Sequence, residues 1–447
     1  MSEKVDYSKG IYDARVLGLP KMFVLGIQHM FAMFGATVLV PLLTGLSVST
    51  TLLCAGIGTL LFHLVTKGKV PAFLGSSFAF LGGFAIVAPF MDDGSANTEM
   101  LPYACAAIAC SGVVYLIVSG LIKAFGIRKV MRFFPPVVTG PIIIAIGLIL
   151  APSAISNCSA NWLLAVVAFG TVVVCNIWGK GMIKIIPILL GVLVSYVVAL
   201  LTGAIDFAAI GSAAWVGLPV TTSAMGLLAI DGSASFWMAF FTIVPIALAS
   251  MMEHIGDIAA ISATTGKNYI NEPGLHRTLM GDGIATTFAG LVGGPANTTY
   301  GENTGVLALS KVYDPKVVRI AAVFAVVLSF SPKFDAVINT IPTGIIGGIS
   351  FILYGMISAI GVRNVVENRV DFTNSRNLII AAVILVSAIG FNDFGGITVT
   401  IAGTAISFTG LAIAAFAGIV LNAILPGNDY EFDAADAADP ESASLKV

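Results

Sequence analysis

The sequence predicts an all-α membrane protein of fourteen transmembrane segments, arranged as two inverted repeats of seven, and three observations predict it. The chain is 57% hydrophobic and 10% charged, whereas a soluble domain carries about 25% charged residues. Its apolar residues fall into fourteen runs, each near the ~20 residues that a spanning helix needs. The third and tenth runs, each third in its half, are interrupted by similar residues.

Taken in chain order, the runs centre on Phe31, Ile57, Phe84, Ser111, Ile144, Val167, Val192, Ala247, Ala285, Gly305, Val323, Gly348, Val383 and Ala412. The basic residues orient them. With the N-terminus inside, every Lys and Arg except Lys333 falls on the inner side, as the positive-inside rule requires. Outer loops carry acids instead: Asp92, Asp93, Glu99, Asp206, Asp231 and Asp393. Removing either interrupted run would invert part of this pattern, so both are expected to cross. An even number of crossings leaves both termini in the cytoplasm, the chain being a multi-pass protein of the cytoplasmic membrane.

The ends are polar. Met1 to Leu19 holds no short apolar stretch with a small-residue cleavage site, so no secretory signal is expected there. Residues 426–447 are acidic and rich in small residues (Asp429, Glu431, Asp433, Asp436, Asp439, Glu441), the composition of a solvated tail. Net charge is -2, which gives no footprint for nucleic acid. The five cysteines form neither a disulfide framework nor a metal spacing. They read as small apolar residues, and no metal or cofactor is expected.

The interrupted runs point to a transport site. Pro71-Ala72-Phe73-Leu74-Gly75-Ser76-Ser77 is locally like Pro295-Ala296-Asn297-Thr298-Thr299-Tyr300-Gly301. Seven spans per half place the halves in opposite orientations, the inverted-repeat pattern of secondary transporters, whose broken helices mark the site. Unwound backbone leaves N–H and C=O groups unpaired, which lipid does not tolerate, so protein or a cavity must cover it. Two extended stretches can pair with one another. The half-helices that follow then aim their positive N-terminal ends at the membrane centre.

Ionisable residues at membrane depth are few and are usually functional. The eighth run carries Glu253, His254 and Asp257. Glu253 and Asp257 are four apart and share a helix face, while His254 points about 100° away. Residue counting puts both acids in the inner half of the run, where a helix cap or salt bridge is the competing reading. Glu302 follows Gly301 on the tenth run, and Gln28 and His29 lie on the first. Asp282, by the same counting, falls near the inner surface. His63, near the inner end of the second run, reads as structural. A shielded carboxylate competes for a proton with any ligand N–H, which can link proton uptake to binding. No GxxxxGK[ST] loop offers ATP as an energy source. No HExxH or GxSxG motif suggests an enzyme.

These residues resemble a known family. Gln28-His29-Met30-Phe31-Ala32-Met33-Phe34-Gly35-Ala36-Thr37, Pro71 to Phe80, Glu253-His254-Ile255-Gly256, Pro273-Gly274-Leu275-His276-Arg277 and Asn297 to Val306 are similar to motifs of the nucleobase/ascorbate transporters. The likeness runs from about Leu19 to Pro426 and is greatest to the uracil-carrying bacterial members. It implies two domains. A core of residues 21–134 and 236–334 would work against a gate of residues 135–235 and 335–425, between a cytoplasmic N-terminus of residues 1–20 and the tail. The gate would also mediate a homodimer. The resemblance further implies that Glu253 and Glu302 bind the base, that the amides of Phe73 and Gly301 contact its carbonyls, and that Phe73 and Tyr300 flank its ring. Asp257 departs from the pattern, because the uracil-carrying members place His there and purine-carrying relatives place Asp. Glu rather than Gln at position 302 favours uracil.

The expectation is therefore a proton-coupled uracil importer, with Asp257 or Glu253 accepting the proton and His29 in support. Its rivals are a xanthine or urate symporter on the same scaffold and an anion exchanger or channel. Two acids at the site and no Lys or Arg at membrane depth argue against the latter.

Overall fold

The computed structural model describes residues 10–91, 93–401, 404–427 and 430. Lys4, Lys9, Asp92 and the acidic residues of the tail lie outside the described residues. The fold is almost entirely helical. Its principal elements are α1 (Leu19–Thr44), α2 (Val48–Val65), β1 (Leu74–Ser76), α3 (Leu81–Val87), α4 (Leu101–Phe125), α5 (Pro136–Ser159), α6 (Trp162–Trp178) and α7 (Pro187–Leu201). They continue with α8 (Ala234–Thr265), which is interrupted at Val244 and Pro245, then α9 (Leu275–Val292), β2 (Asn297–Thr299), α10 (Gly301–Ser310) and α11 (Pro315–Ser329). Last come α12 (Thr343–Glu367), α13 (Ser375–Phe394), β3 (Ile397–Ile401), β4 (Thr404–Phe408) and α14 (Gly410–Ile424).

Each expected run centre falls inside a helix, but the helices differ in length. Among the described residues, α1, α2, α4, α5, α8, α12 and α13 are long and apolar enough to cross a membrane alone. An eighth crossing forms if α11 is joined to Pro332–Asn339, from which it is bent by 87°. The helices α6, α7 and α14 are apolar but shorter. In the third and tenth runs the cause of shortness is plain. Part of each is extended backbone, which opens at Pro71 and near Pro295, where the proline removes a helical N–H and the following strand residues pair across the two runs.

Small residues let the helices meet closely, the usual basis of helix packing in lipid. A Cβ on Gly283 of α9 would lie 2.7 Å from Tyr115 Cβ and 2.9 Å from the Gly112 carbonyl of α4. A Cβ on Gly56 of α2 would lie 2.6 Å from the Ala322 carbonyl of α11. The pairs α4–α9 and α2–α11 therefore cross backbone to backbone, and α5 packs along α12 in a third such contact.

Two features go beyond the sequence reading. The polar N-terminal segment docks onto the helices: Ile11 N–H donates to Lys311 O at 2.8 Å and Tyr313 N–H to Ile11 O at 2.7 Å. Tyr12 OH donates to Thr265 O at 2.5 Å, and Lys267 Nζ stands 4.2 Å over the Tyr12 ring. Strands β3 and β4 form an antiparallel hairpin between α13 and α14. Its β-branched Ile397-Thr398-Val399-Thr400-Ile401 suits a pleated strand.

Candidate functional site

The two unwound stretches pair with each other. Strands β1 and β2 run antiparallel, with Leu74 opposite Thr299, Gly75 opposite Thr298 and Ser76 opposite Asn297. Flanking bonds extend the ladder, from Tyr300 N–H to Phe73 O at 3.0 Å and from Ser77 N–H to Ala296 O at 2.8 Å. Every residue from 71 to 77 and from 293 to 300 is buried, as irregular backbone at membrane depth must be.

Each strand also needs partners on the side away from its mate, and one threonine per half supplies them. Thr59 of α2 accepts from Leu74 N–H at 2.9 Å and donates to Leu74 O at 3.1 Å. Thr286 of α9 accepts from Asn297 N–H at 3.2 Å and donates to Asn297 O at 3.1 Å. The Asn297 amide then bridges α2 and α9, donating to Cys54 O at 3.2 Å and Ala285 O at 3.3 Å. Tyr300 closes the arrangement. Its hydroxyl donates to Ser76 O at 3.0 Å and lies 3.2 Å from Thr37 Oγ1. A Cβ on Gly75 would collide with its ring, so glycine is what lets Tyr300 lie flat on β1.

The half-helix α10 starts at Gly301, directly after this pairing, and no side chain caps it. Its first N–H groups therefore have no partner within the helix and present partial positive charge. Glu302 stands in this first turn. On the opposite element, α8 presents Glu253 and Asp257 on one face. Thr299 Oγ1 donates to Asp257 Oδ2 at 2.8 Å, and a Cβ on Gly301 would be 3.7 Å from Asp257 Oδ1. Glu253 and Asp257 both lie within range of the Glu302 charge. All three carboxylates are half-buried, while Gly256 and Gly301 between them are exposed, so this face borders open space. Among the described residues no group of His, Cys, Asp and Glu is placed to hold a metal ion.

The remaining predicted residues take definite places. Phe73 is fully buried, with its ring centroid 6.5 Å from that of Tyr300 at a 34° tilt. His29 of α1 lies against α10, where Asn303 Nδ2 reaches its Nδ1 at 3.1 Å and its carbonyl at 3.0 Å. His63 bonds Ala72 O through Nε2 at 2.9 Å and receives Arg319 Nε at 3.3 Å on Nδ1, a structural role at the entry to β1.

Asp282, expected near the inner surface, is fully buried among the helices, with Oδ2 2.9 Å from His254 Nδ1. The sequence reading also passed over Thr299, Asn303, Thr59 and Thr286. A strand alternates its faces, so the parity Asn297, Thr299, Gly301 was the available signal for Thr299.

Comparison with known proteins gives consistent results. A family model described as "Permease family" matches residues 20–394. The uracil permease of Bacillus caldolyticus is 41% identical over 412 residues, covering 90% of this chain and 91% of that protein. The uracil permease of Bacillus subtilis (strain 168) is 38% identical over 414 residues, covering 90% and 91%. Among solved structures, the transmembrane domain of the cyanobacterium bicarbonate transporter BicA superposes with a TM-score of 0.63 at 16% identity, covering 85% of this chain and 97% of that one. The likeness to BicA is one of fold.

Proposed function

Because the chain belongs to the permease family matched across residues 20–394, the nucleobase/ascorbate transporters that its motifs resemble, we propose that it imports uracil across the cytoplasmic membrane together with protons. The chain is a multi-pass membrane transporter of that family. Similarity to uracil permeases over nine-tenths of its length supports uracil as the substrate. The observation that carries the mechanism is the meeting of Asp257 and Glu302 at the uncapped start of α10, at the end of a buried two-stranded pairing, with Glu253 one helical turn from Asp257 on the same face of α8.

Uracil has two N–H donors and two carbonyl acceptors, and the site has counterparts for all four. Glu253 and Glu302 take the N–H groups. The amides of Phe73 and Gly301 take the carbonyl oxygens, and the rings of Phe73 and Tyr300 flank the base. A base that leaves one of these buried groups unpaired is rejected strongly. A proton on one of these carboxylates removes its repulsion of its acidic neighbour, which stays charged to accept the ligand N–H, so that proton uptake and binding favour one another. Asp257 or Glu253 takes the coupling proton, with His29 in support.

In this reading fourteen spans form two inverted halves, with both termini in the cytoplasm. The Thr59–Leu74 and Thr286–Asn297 bonds support the symmetry, since each joins the second span of a half to the third. A core of residues 21–134 and 236–334 carries the site past a gate of residues 135–235 and 335–425, through which two copies associate.

The test is uptake of labelled uracil in cells lacking their own permease, with and without an uncoupler, and with unlabelled uracil, xanthine and urate as competitors. Uptake that collapses with the uncoupler, fails in Glu302→Gln and yields only to uracil is expected. Uptake indifferent to both the uncoupler and Glu302→Gln ends the symport reading. Competition by xanthine or urate moves the substrate to the purines.

A further inference from the structure

Behind the face that carries Glu253, α8 meets α9 in an acid–base contact. His254 Nδ1 and Asp282 Oδ2 are 2.9 Å apart, and both side chains are 0% exposed. The Phe62 ring of α2 meets the His254 imidazole edge to face at 6.2 Å. Phe62 also covers Gly281, where an added Cβ would come within 2.8 Å of its ring. Tyr115 of α4 lies within range of the Asp282 charge on another side. Among the described residues neither nitrogen of His254 and neither oxygen of Asp282 has a hydrogen bond of good geometry, so the 2.9 Å approach is a close polar contact between two otherwise unpartnered groups. The two groups therefore face chiefly one another. A buried ionisable pair held this way is a poor device for stability, since apolar packing of equal volume does as well or better. Its presence calls for another explanation.

The geometry points to one: His254 and Asp282 are positioning residues that fix the rotation of α8, so that Glu253 faces the paired strands. This rests on Glu253 as a base-binding residue. Successive residues on a helix are 100° apart, so holding His254 against α9 sets the direction of Glu253, one residue earlier, and of Asp257, three later. Such a hold is needed because α8 is interrupted at Val244 and Pro245, nine and eight residues before Glu253. Below that break its buried residues include Met251, Met252, Ile255 and Ile258, whose packing is apolar and non-directional. Among the described residues, other directional ties near the site include Ser77 Oγ to Ser250 Oγ at 3.4 Å and Thr299 to Asp257 at 2.8 Å, both on the strand side. The His254–Asp282 contact is the anchor on the far side.

The test measures initial rates of uracil uptake in proteoliposomes holding the full chain, together with the melting temperature of the purified protein. The variants are Asp282→Asn, His254→Gln, their double, the apolar double His254→Leu with Asp282→Leu, and Glu253→Gln as the reference. Each pair variant is expected to raise the uracil KM at least tenfold while the maximal rate changes less than threefold. The double is expected to be no worse than the worse single. The apolar double keeps the melting temperature and still carries the raised KM, so it separates positioning from folding if a single variant fails to assemble. A wild-type KM in the apolar double, or an effect confined to the maximal rate, overturns the inference. If Glu253→Gln itself leaves uracil KM and uptake unchanged, the underlying reading of the site has failed instead. A strong Glu253→Gln defect beside silent pair variants sinks only the positioning role.

Discussion

The Thr299 hydroxyl donates a hydrogen bond of 2.8 Å to the Asp257 carboxylate, and this bond joins the unwound backbone of β2 to the acidic face of α8. Two elements far apart in sequence are thereby held at one distance across the site. Asp257 stands where the resemblance led one to expect His in a uracil carrier, and Thr299 is what receives it. A carboxylate accepts this hydroxyl hydrogen in either of two oxygens and keeps the other toward Gly301, where an added Cβ would lie 3.7 Å from Oδ1.

Replacing Thr299 by Val keeps the shape and removes the donor. A hydrogen bond to a charged group contributes roughly 1.5–3 kcal/mol, and ~1.4 kcal/mol is tenfold in an equilibrium constant. Thr299→Val is expected to raise the uracil KM roughly 10- to 100-fold with unchanged amounts of protein in the membrane. Uptake kinetics at several uracil concentrations check it, and a KM within twofold of wild type refutes it.

Thr59→Val and Thr286→Val form a matched pair. Each leaves one buried N–H and one buried C=O of a strand without its partner. An unsatisfied buried group costs about 1–3 kcal/mol. Both variants are expected to lower the melting temperature of the detergent-purified protein, and by similar amounts, because the two bonds are equivalents in opposite halves. A large loss in one and none in the other contradicts that equivalence.

How much of this was legible in the sequence depended on whether the signal was local. Pro71 and Pro295 announce a break by their own chemistry, and Glu253 and Asp257 share a face by spacing alone, so both were readable. The lateral burial of Asp282 was not. Residue counting measures distance along one helix axis, whereas Asp282 is buried by His254, Phe62 and Tyr115 from three other helices. Thr59 and Thr286 were invisible for a related reason: threonine in an apolar helix usually bonds its own preceding turn, and only the fold brings a strand beside it. The hairpin of β3 and β4 was readable in principle from the alternation of Ile397 to Ile401, but an apolar run so near a spanning helix merges with it.

The docked N-terminal segment gives a prediction read by proteolysis. Ala14 N–H donates to Asp314 Oδ2 at 2.8 Å, and Asp314 Oδ1 caps α11 by accepting from Lys316 N–H at 3.0 Å. Asp314→Ala removes both. The cap contributes about 1 kcal/mol and the buried bond about as much or more, so trypsin cleavage after the exposed Arg15 is expected to quicken at least tenfold. Neighbouring Asp13 is held well below the usual carboxylate range by its side-chain hydrogen bond to Arg15. A lowered folded-state value stabilises above the unfolded pKa and is lost only as pH falls through the lowered one. Cleavage of the wild-type segment is therefore expected to show no dependence on that group between about pH 5 and 8.

His29 and Asn303 provide the last prediction, on the link between α1 and α10. One nitrogen, Asn303 Nδ2, lies 3.0 Å from His29 O and 3.1 Å from His29 Nδ1. A carbonyl oxygen can only accept, so the amide must present its NH₂ to this side, and Nδ1 must accept as well. The ring hydrogen then sits on Nε2, which has no partner among the described residues. A proton arriving at Nδ1 would break the bond from Asn303 to the ring, leaving Asn303 held to α1 by the His29 carbonyl alone and loosening the tie to the half-helix that carries Glu302. The two residues thus act as one unit, for which a coupling of about 0.5–3 kcal/mol is typical. Asn303→Ala and His29→Ala are each expected to cut uracil uptake severalfold, with the double variant close to the worse single. Defects that multiply in the double would mean that the two side chains work independently, and that α10 is held by something other than this contact.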